Sequence, residues 1–346
     1  MPSYASHTPR PRRHGGMNAH MRGIGLVELM VALLLGLFIV GGVINLFVAN
    51  RQAFRSTEQL TRLQESARVS FELMARSLRE AGGSNCGRNL PTANVINNAS
   101  NFWWADWDAG LRGYEGNQAA PAVGFGTAAA QRINGTDAFF SIHADGNSGA
   151  SITNHDTASA QFTLSSAAHG LQAGHLALAC DYRRAALFQV SSVAGAVVGH
   201  NTAGASPGNC VTGLGMSCAG TPTTYAFQAG GTLNGVASET WYVGANGRNG
   251  RSLYRARLTR NAAGNAEVQF EEIAEGVHDM QLTYLQMNAD GSLPADYQAA
   301  NAITDWTRVV ATRIVLTLRS NEAVGTDGAV LERRAYHVVS LRNRLP

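Results

Sequence analysis

The chain contains no lysine; all 27 of its basic residues are arginine. That absence excludes a Walker A lysine, a Schiff-base lysine and a Ser-x-x-Lys nucleophile site. Proline is scarce too, with 9 residues against 38 glycines, which predicts many turns, few rigid linkers and short strands. Charged residues make up only 15% of the chain and hydrophobic ones 45%, so it is too apolar to be disordered and long enough for a sizeable core in one or two domains. The formal net charge of +3 is unevenly placed. Residues 1–23 hold Arg10, Arg12, Arg13 and Arg22 and no acid, so the remainder carries 3 − 4 = −1. A nearly neutral body has no nucleic-acid footprint, and no nucleic-acid partner is expected.

Cysteine is equally sparse: Cys86, Cys180, Cys210 and Cys218, with no C-x-x-C pair. A zinc ribbon or thioredoxin-type site is therefore not expected. If the body is exported, an even number favours two disulfides, and four cysteines allow three pairings. We expect Cys210–Cys218 to close a Gly-rich loop and leave Cys86 with Cys180; four unpaired core cysteines are the alternative. Motifs of catalysis are missing as well. The ten histidines lie mostly in loops without H-E-x-x-H or another close metal spacing, and no G-x-S-x-G elbow occurs. Gly244-x-x-Gly247-x-x-Gly250 lacks the βαβ context of a nucleotide site and reads as turns. Asn288–Ser292 and His143–Asn147 resemble calcium loops in composition but lack the downstream Glu of an EF-hand, so they read as hairpin turns. No catalytic residue, resident metal or cofactor is expected.

One long apolar run is present. From Ile24 to Ala49 the sequence IGLVELMVALLLGLFIVGGVINLFVA contains only Glu28 and Asn45 as polar residues. Its residues at ~1.5 Å each give roughly 39 Å of helix, enough to span a bilayer core with some tilt. A carboxylate there costs about 2.5–3.5 kcal/mol on insertion scales and is a functional candidate by default. The run is too long for a secretory h-region of about 7–15 residues, and no small-residue cut site follows it. A generic single-span anchor would leave Glu28 without a role.

The stretch Arg22-Gly23-Ile24-Gly25-Leu26-Val27-Glu28-Leu29-Met30 resembles the class III signal of type IV pilins and pseudopilins: a basic leader, a Gly, a hydrophobic residue, and Glu at the fifth mature position. Ile24 stands where Phe is commoner, and Gly25 where Thr is commoner. The resemblance implies that a prepilin peptidase cuts between Gly23 and Ile24, that the new amine of Ile24 is methylated, and that the apolar helix is retained as the packing core of a filament. It further implies that Glu28 pairs with the N-terminal ammonium of a neighbouring subunit, which offsets desolvation and fixes axial register. Arg12-Arg13 also suggests a Tat signal, but an overlong start is the better reading, with Met17 or Met21 opening a shorter leader. Arg51, Arg55 and Arg62 rival the leader's basic residues, so orientation rests on the cleavage motif.

Beyond the run, Leu60, Leu63, Ala67, Phe71, Met74 and Leu78 form the stripe of a helix lying on a core, and Gly82-Gly83 supplies its stop. The expected organisation is a leader over 1–23, a membrane and assembly helix over 24–49, an amphipathic helix over 50–83 and a β-rich exported head over 84–346. One helix of about 55 residues is expected, with a bend allowed at Gly41-Gly42. Residues 84–136 read as polar and irregular. They hold Phe102-Trp103-Trp104-Ala105-Asp106-Trp107, where Trp103, Trp104 and Trp107 are candidates for a partner surface or for rings folded onto the head. Strand-like segments then follow at 138–143, 161–165, 175–180, 186–192, 240–243, 252–258, 266–272, 279–287, 308–318 and 334–341, separated by turns such as Asn246-Gly247 and Asp290-Gly291.

Several of these segments are similar to the PilW family of minor pilins: Cys180 through Val190, Glu239-Thr240-Trp241-Tyr242-Val243, Ser252-Leu253-Tyr254-Arg255, Glu275-Gly276-Val277, Trp306 through Leu318, and Leu341-Arg342-Asn343-Arg344. The related pseudopilin J of type II secretion ends similarly. The resemblance implies an α+β fold, a long N-terminal pilin helix packed on a mainly antiparallel β-sheet head. It implies a low-abundance pilin, held in the bacterial inner membrane with a periplasmic head before entering the pilus near its tip. Its implied partners are other minor pilins, the major pilin, the prepilin peptidase, the inner-membrane assembly platform, a tip adhesin and, before assembly, the lipid bilayer. The alternatives are a type II secretion pseudopilin and a tethered surface-binding protein that never polymerises.

Overall fold

The structure, a computed structural model, describes residues 25–87, 90–108, 110–204, 206–216, 218, 221, 223–325, 327–341 and 343. The expected leader, its Gly23–Ile24 junction and the start residues Met17 and Met21 lie outside the described residues, as do Arg342 and Arg344. The chain divides into two compact units, Met1–Arg55 and Ser56–Pro346.

The described part of the first unit is helical. Helix α1 (Leu26–Glu80) runs for 55 residues, and Gly41-Gly42 does not interrupt it. Leucine, valine, isoleucine and phenylalanine surround the helix between Leu26 and Val48, and all of them are exposed. Among the described residues this is the one helix long and apolar enough to cross a membrane.

In the second unit the helix changes character. Leu63, Met74, Ala75 and Leu78 are buried, and Ala67 and Phe71 pack beside them. This is the stripe of side chains three and four residues apart that a helix lays on a core. Ser70 on the same face is buried because its hydroxyl returns a 2.6 Å bond to the Ser66 carbonyl. The helix stops where Gly82 takes φ 71°, a left-handed conformation that costs a non-glycine residue strain. Gly83 is required for space, since a Cβ there would meet Asn343 Nδ2 at 2.6 Å.

Among the described residues fourteen strands follow. In chain order they are β1 (Thr92–Asn94), β2 (Leu111–Tyr114), β3 (Ala138–Asp156), β4 (Gln161–Leu164), β5 (Leu176–Cys180), β6 (Ala185–Gln189) and β7 (Ser192–Ala194). The rest are β8 (Val197–Gly199), β9 (Thr232–Ala245), β10 (Arg251–Arg260), β11 (Ala266–Glu275), β12 (Val277–Gln286), β13 (Val309–Arg319) and β14 (Glu332–Ser340). One sheet has the order β1-β6-β5-β9-β3-β4-β8-β7, with β10 on β9, β11 on β10 and β2 on β3. A second sheet has the order β12-β13-β14. Every pairing between these strands is antiparallel except β1 with β6, where Thr92 sits opposite Ala185. The α+β reading therefore holds: a long helix and a mostly antiparallel head.

Alternation explains the largest layer. On β12 and β13, Met280, Leu282, Tyr284, Ile314, Leu316 and Leu318 point inward and meet Leu63, Met74 and Leu78 of the helix. A second core lies between β3–β4 and β5–β6, around Phe162, Phe188, Phe227 and Leu233.

Candidate assembly site

Glu28 lies in the first turn of α1, exposed, one turn past the Gly25 carbonyl that accepts the Leu29 N–H at 3.1 Å. A carboxylate near a helix N-terminus is favoured by the helix dipole. Around it Leu26, Val27, Leu29 and Met30 are all more than half exposed. An isolated carboxylate in such an apolar collar needs a cation from another molecule wherever water is excluded.

Within the second unit, the head builds a seat for residues 56–80 of the helix. Beneath the apolar stripe the seat is polar and specific. Trp241 Nε1 donates to Ser77 Oγ and to Glu239 Oε2, both at 3.2 Å, and Ser77 Oγ lies 2.6 Å from Ser141 Oγ. Arg255 stacks on Trp241 at 5.5 Å and bridges Glu239 at 3.2 Å to Glu271 at 2.6 Å. His143 is buried, and burial holds it below its ordinary pKa although Glu239 and Glu80 oppose that shift. Its Nε2 donates to Glu80 Oε2 at 3.0 Å. At the helix end Asn343 Nδ2 donates to the Arg79 and Glu80 carbonyls at 3.2 and 3.3 Å, satisfying two of the orphan acceptors of a helix C-terminus. Ser56 Oγ donates to the Val324 carbonyl further back along the helix. The seat thus holds the helix at Ser56, Ser77 and the Arg79–Glu80 turn.

Two disulfides fasten the segment that follows. Cys86 is bonded to Cys180 on β5, and Cys210 to Cys218, the pairing expected from their spacing. The first crosses 94 residues and pins the exit of the helix to the large sheet; the second closes a short loop. Trp104 is 5% exposed, so its candidacy for a partner surface is corrected: its ring stacks on Phe102 at 4.7 Å inside a core cluster. Its carbonyl accepts the Ser238 hydroxyl at 2.7 Å, which fixes the loop. Trp103 and Trp107 are half-buried against the same cluster, Trp103 edge-on to Phe140 at 5.7 Å. Three rings fold back because each removes more apolar surface from water on the head than in solvent.

The glycine-rich stretch after Val243 is the β9–β10 hairpin, where the Asn246 side chain accepts the Arg248 and Gly250 N–H groups at 3.0 Å each. Asp290 likewise accepts the Ser292 N–H and hydroxyl at 2.9 and 2.6 Å, closing its own turn. Among the described residues no group of three or more His, Cys, Asp or Glu is placed to hold a metal ion.

Much of the seat comes from one stretch of chain: the second half of β9, all of β10 to β14, and Leu341. Residues 240–341 match the family model of type IV pilus-assembly protein W. Over those residues the chain is similar to the PilW family, and that similarity implies a role in type IV pilus assembly. The PilW segment supplies Trp241, Arg255, Glu271 and the apolar floor under Met74 and Leu78. Together with the apolar helix it is consistent with a membrane-anchored protein. No curated protein and no solved structure compared with the chain matches it.

Two buried polar sites escaped the sequence reading. Arg132 and Asp137 hold the loop before β3, and His155 faces His200 beneath β4. Nothing in the local pattern marks either, because Arg and His in polar, glycine-rich segments ordinarily face water.

Proposed function

We propose that the protein is a minor pilin that helps prime type IV pilus assembly and sits at or near the pilus tip among other minor pilins. In this reading it supports twitching motility and adhesion, with a tip adhesin among its partners. The supporting observation is the match of residues 240–341 to PilW, whose segment forms the seat of a helix that begins in an exposed apolar run with Glu28 in its first turn.

The sequence of events follows from chemistry. The apolar run is held by the inner membrane with the head in the periplasm. A prepilin peptidase cuts between Gly23 and Ile24, and the freed Ile24 amine is methylated. On leaving lipid for the filament, Glu28 pairs with the ammonium of a neighbouring minor or major pilin at the inner-membrane platform, so the desolvated carboxylate sets the axial register. The head acts as a shaped surface and not as a catalyst; a hydrolase activity of the purified protein, abolished by a point substitution in the head, would contradict this.

The test is deletion of the gene, complemented with wild type or with Glu28→Ala. Surface pili, twitching and secretion of extracellular enzymes are scored together. Expected are loss of pili and twitching with secretion intact, rescue by wild type, and failure of Glu28→Ala despite normal membrane levels of the protein. Lost secretion with normal pili would assign the chain to a type II pseudopilus instead. Full rescue by Glu28→Ala would leave a tethered protein that does not polymerise.

A further inference from the structure

Among the described strands that pair along one side only, β11 and β14 are long and carry exposed apolar side chains. Among the described residues β11 bonds only to β10, and β14 only to β13. Both present apolar side chains to solvent: Phe270 on β11 is 44% exposed, and Tyr336 and Val338 on β14 are 66% and 53% exposed. Long edges that expose apolar side chains are normally blunted or covered, because their free N–H and C=O groups template another strand.

The two edges differ in charge. β14 carries the exposed Arg333 and Arg334, neither of which has an ion-pair partner among the described residues. β11 carries Glu267, Glu271, Glu272 and Glu275. Glu271 is taken by Arg255 and Arg257. Glu272 receives Arg248 and Ser252 on Oε1 alone, which leaves its second oxygen for another cation.

We propose that β14 of one copy adds antiparallel to β11 of a second copy, joining their sheets edge to edge. One register aligns three pairs on one face at once: Phe270 opposite Tyr336, the half-buried Val268 opposite Val338, and Glu272 opposite Arg334. Opposed pairs in an antiparallel ladder share a face, so the rings stack side by side and the charges meet. Sliding by two residues in one direction sets Glu272 against Glu332; in the other it sets Glu272 against Tyr336 and leaves Arg334 opposite Ala274. A slip of one residue moves Phe270 to the opposite face from Tyr336. The contact is heterologous, so each added copy leaves one β11 and one β14 edge open. This inference depends only on the two edges and goes beyond the pilus-priming reading.

The test uses full-length protein in detergent, with Phe270→Cys and Tyr336→Cys made separately. Mixed and mildly oxidised, the two variants are expected to give a disulfide-linked dimer that neither gives alone. One chain carrying both changes should give a ladder of dimers, trimers and higher species. Arg334→Glu should lower the mixed yield at least fivefold, and Glu272→Arg in the opposing partner should restore it. Leu293→Cys, on a loop and 59% exposed, should not couple to Tyr336→Cys. Association through the membrane helix would link the Leu293 pair as readily as the register pair, and that outcome overturns the proposal. So does the absence of any mixed dimer while sedimentation of wild type and of Val338→Asp shows the same mass at all concentrations.

Discussion

Replacing Arg132 with Met is expected to destabilise the head by about 3–5 kcal/mol, the cost of breaking a buried charge network from one side. Arg132 has no exposed surface, and its guanidinium is spent on carbonyl oxygens. Nε and Nη2 donate to Thr136 at 3.1 and 2.6 Å, Nη1 to Gln118 at 2.8 Å, and Nη2 also to Glu115 at 2.8 Å and Tyr114 at 3.3 Å. The Phe125 ring lies 4.8 Å from the guanidinium carbon. Burial lowers the Arg132 pKa to about 10, with Asp137 acting in the opposite direction. Asp137 is itself pushed up to about 6 by burial, while the Leu282 N–H it accepts at 2.7 Å opposes that shift. Met keeps the volume but leaves the Gln118 and Thr136 carbonyls without their donor, at about 1–3 kcal/mol each. Lys is expected to fail as well, since one ammonium cannot reproduce a planar fork aimed at four carbonyls. Urea unfolding followed by tryptophan fluorescence checks this, with Arg112→Met as the control. Arg112 is exposed, and its loss should lie within about 0.5 kcal/mol. Equal midpoints for the two variants would remove Arg132 from the role of clamp.

Arg132 also marks where sequence reading stops. The helix was legible from the apolar run and from Leu63, Met74 and Leu78, because periodicity over many turns averages out single exceptions. The strands around Phe139, Leu178, Trp241, Leu253 and Ile314 were legible for the same reason, each alternating or continuously apolar and bounded by turns. Thr92–Asn94, Leu111–Tyr114, Ser192–Ala194 and Val197–Gly199 were not, since three or four residues are too few to show a period. β3 was read only to His143, yet it runs to Asp156 across the register shift between Asp145 and Gly149, whose polar sequence reads as a turn. Residues 84–136 read as irregular, and much of that stretch is. Its order comes from long-range partners: Cys180, Ser238, and the carbonyls gathered by one arginine. A side chain that satisfies distant backbone leaves no signature in its own neighbourhood. Glu28 lies at the other extreme, because a lone acid in an apolar run stands out without any structure.

The second large effect is expected with pH. The His155→Phe/His200→Leu double variant should lose much of the acid sensitivity of the head between pH 6.5 and 4. His155 Nε2 and His200 Nε2 lie 3.1 Å apart in the core under Phe162, Phe188 and Phe227. The Phe227 N–H donates to His155 Nδ1 at 3.1 Å, so the His155 proton sits on Nε2 and is given to His200. His200 then carries its proton on Nδ1, which makes no hydrogen bond among the described residues; its own and the Thr212 carbonyls supply partial compensation. Neither ring can accept a further proton without placing a cation in this cluster, and burial lowers His155 to about 4 and His200 to about 3. The unfolded chain protonates both near 6.5, so below that pH it binds more protons than the folded state. Stability is fully present above pH 6.5 and falls as the pH drops toward 4. Each histidine contributes a slope of up to about 1.4 kcal/mol per pH unit, and the pair about 2.7. Asp137 works the other way: raised to about 6 in the fold, it favours the folded state as the pH falls from 6 toward 4. Wild type therefore shows these opposing effects together with those of His143, His175 and His278, which burial also lowers, and the difference between wild type and the double variant isolates the share of His155 and His200. Phe in place of His155 strands the Phe227 N–H, a cost that is the same at every pH and leaves the slope untouched. Urea midpoints at pH 7, 6, 5 and 4 should diverge between wild type and the double variant, with wild type losing stability faster on acidification. Parallel curves would mean that the two rings share a proton with the solvent as freely in the fold as out of it.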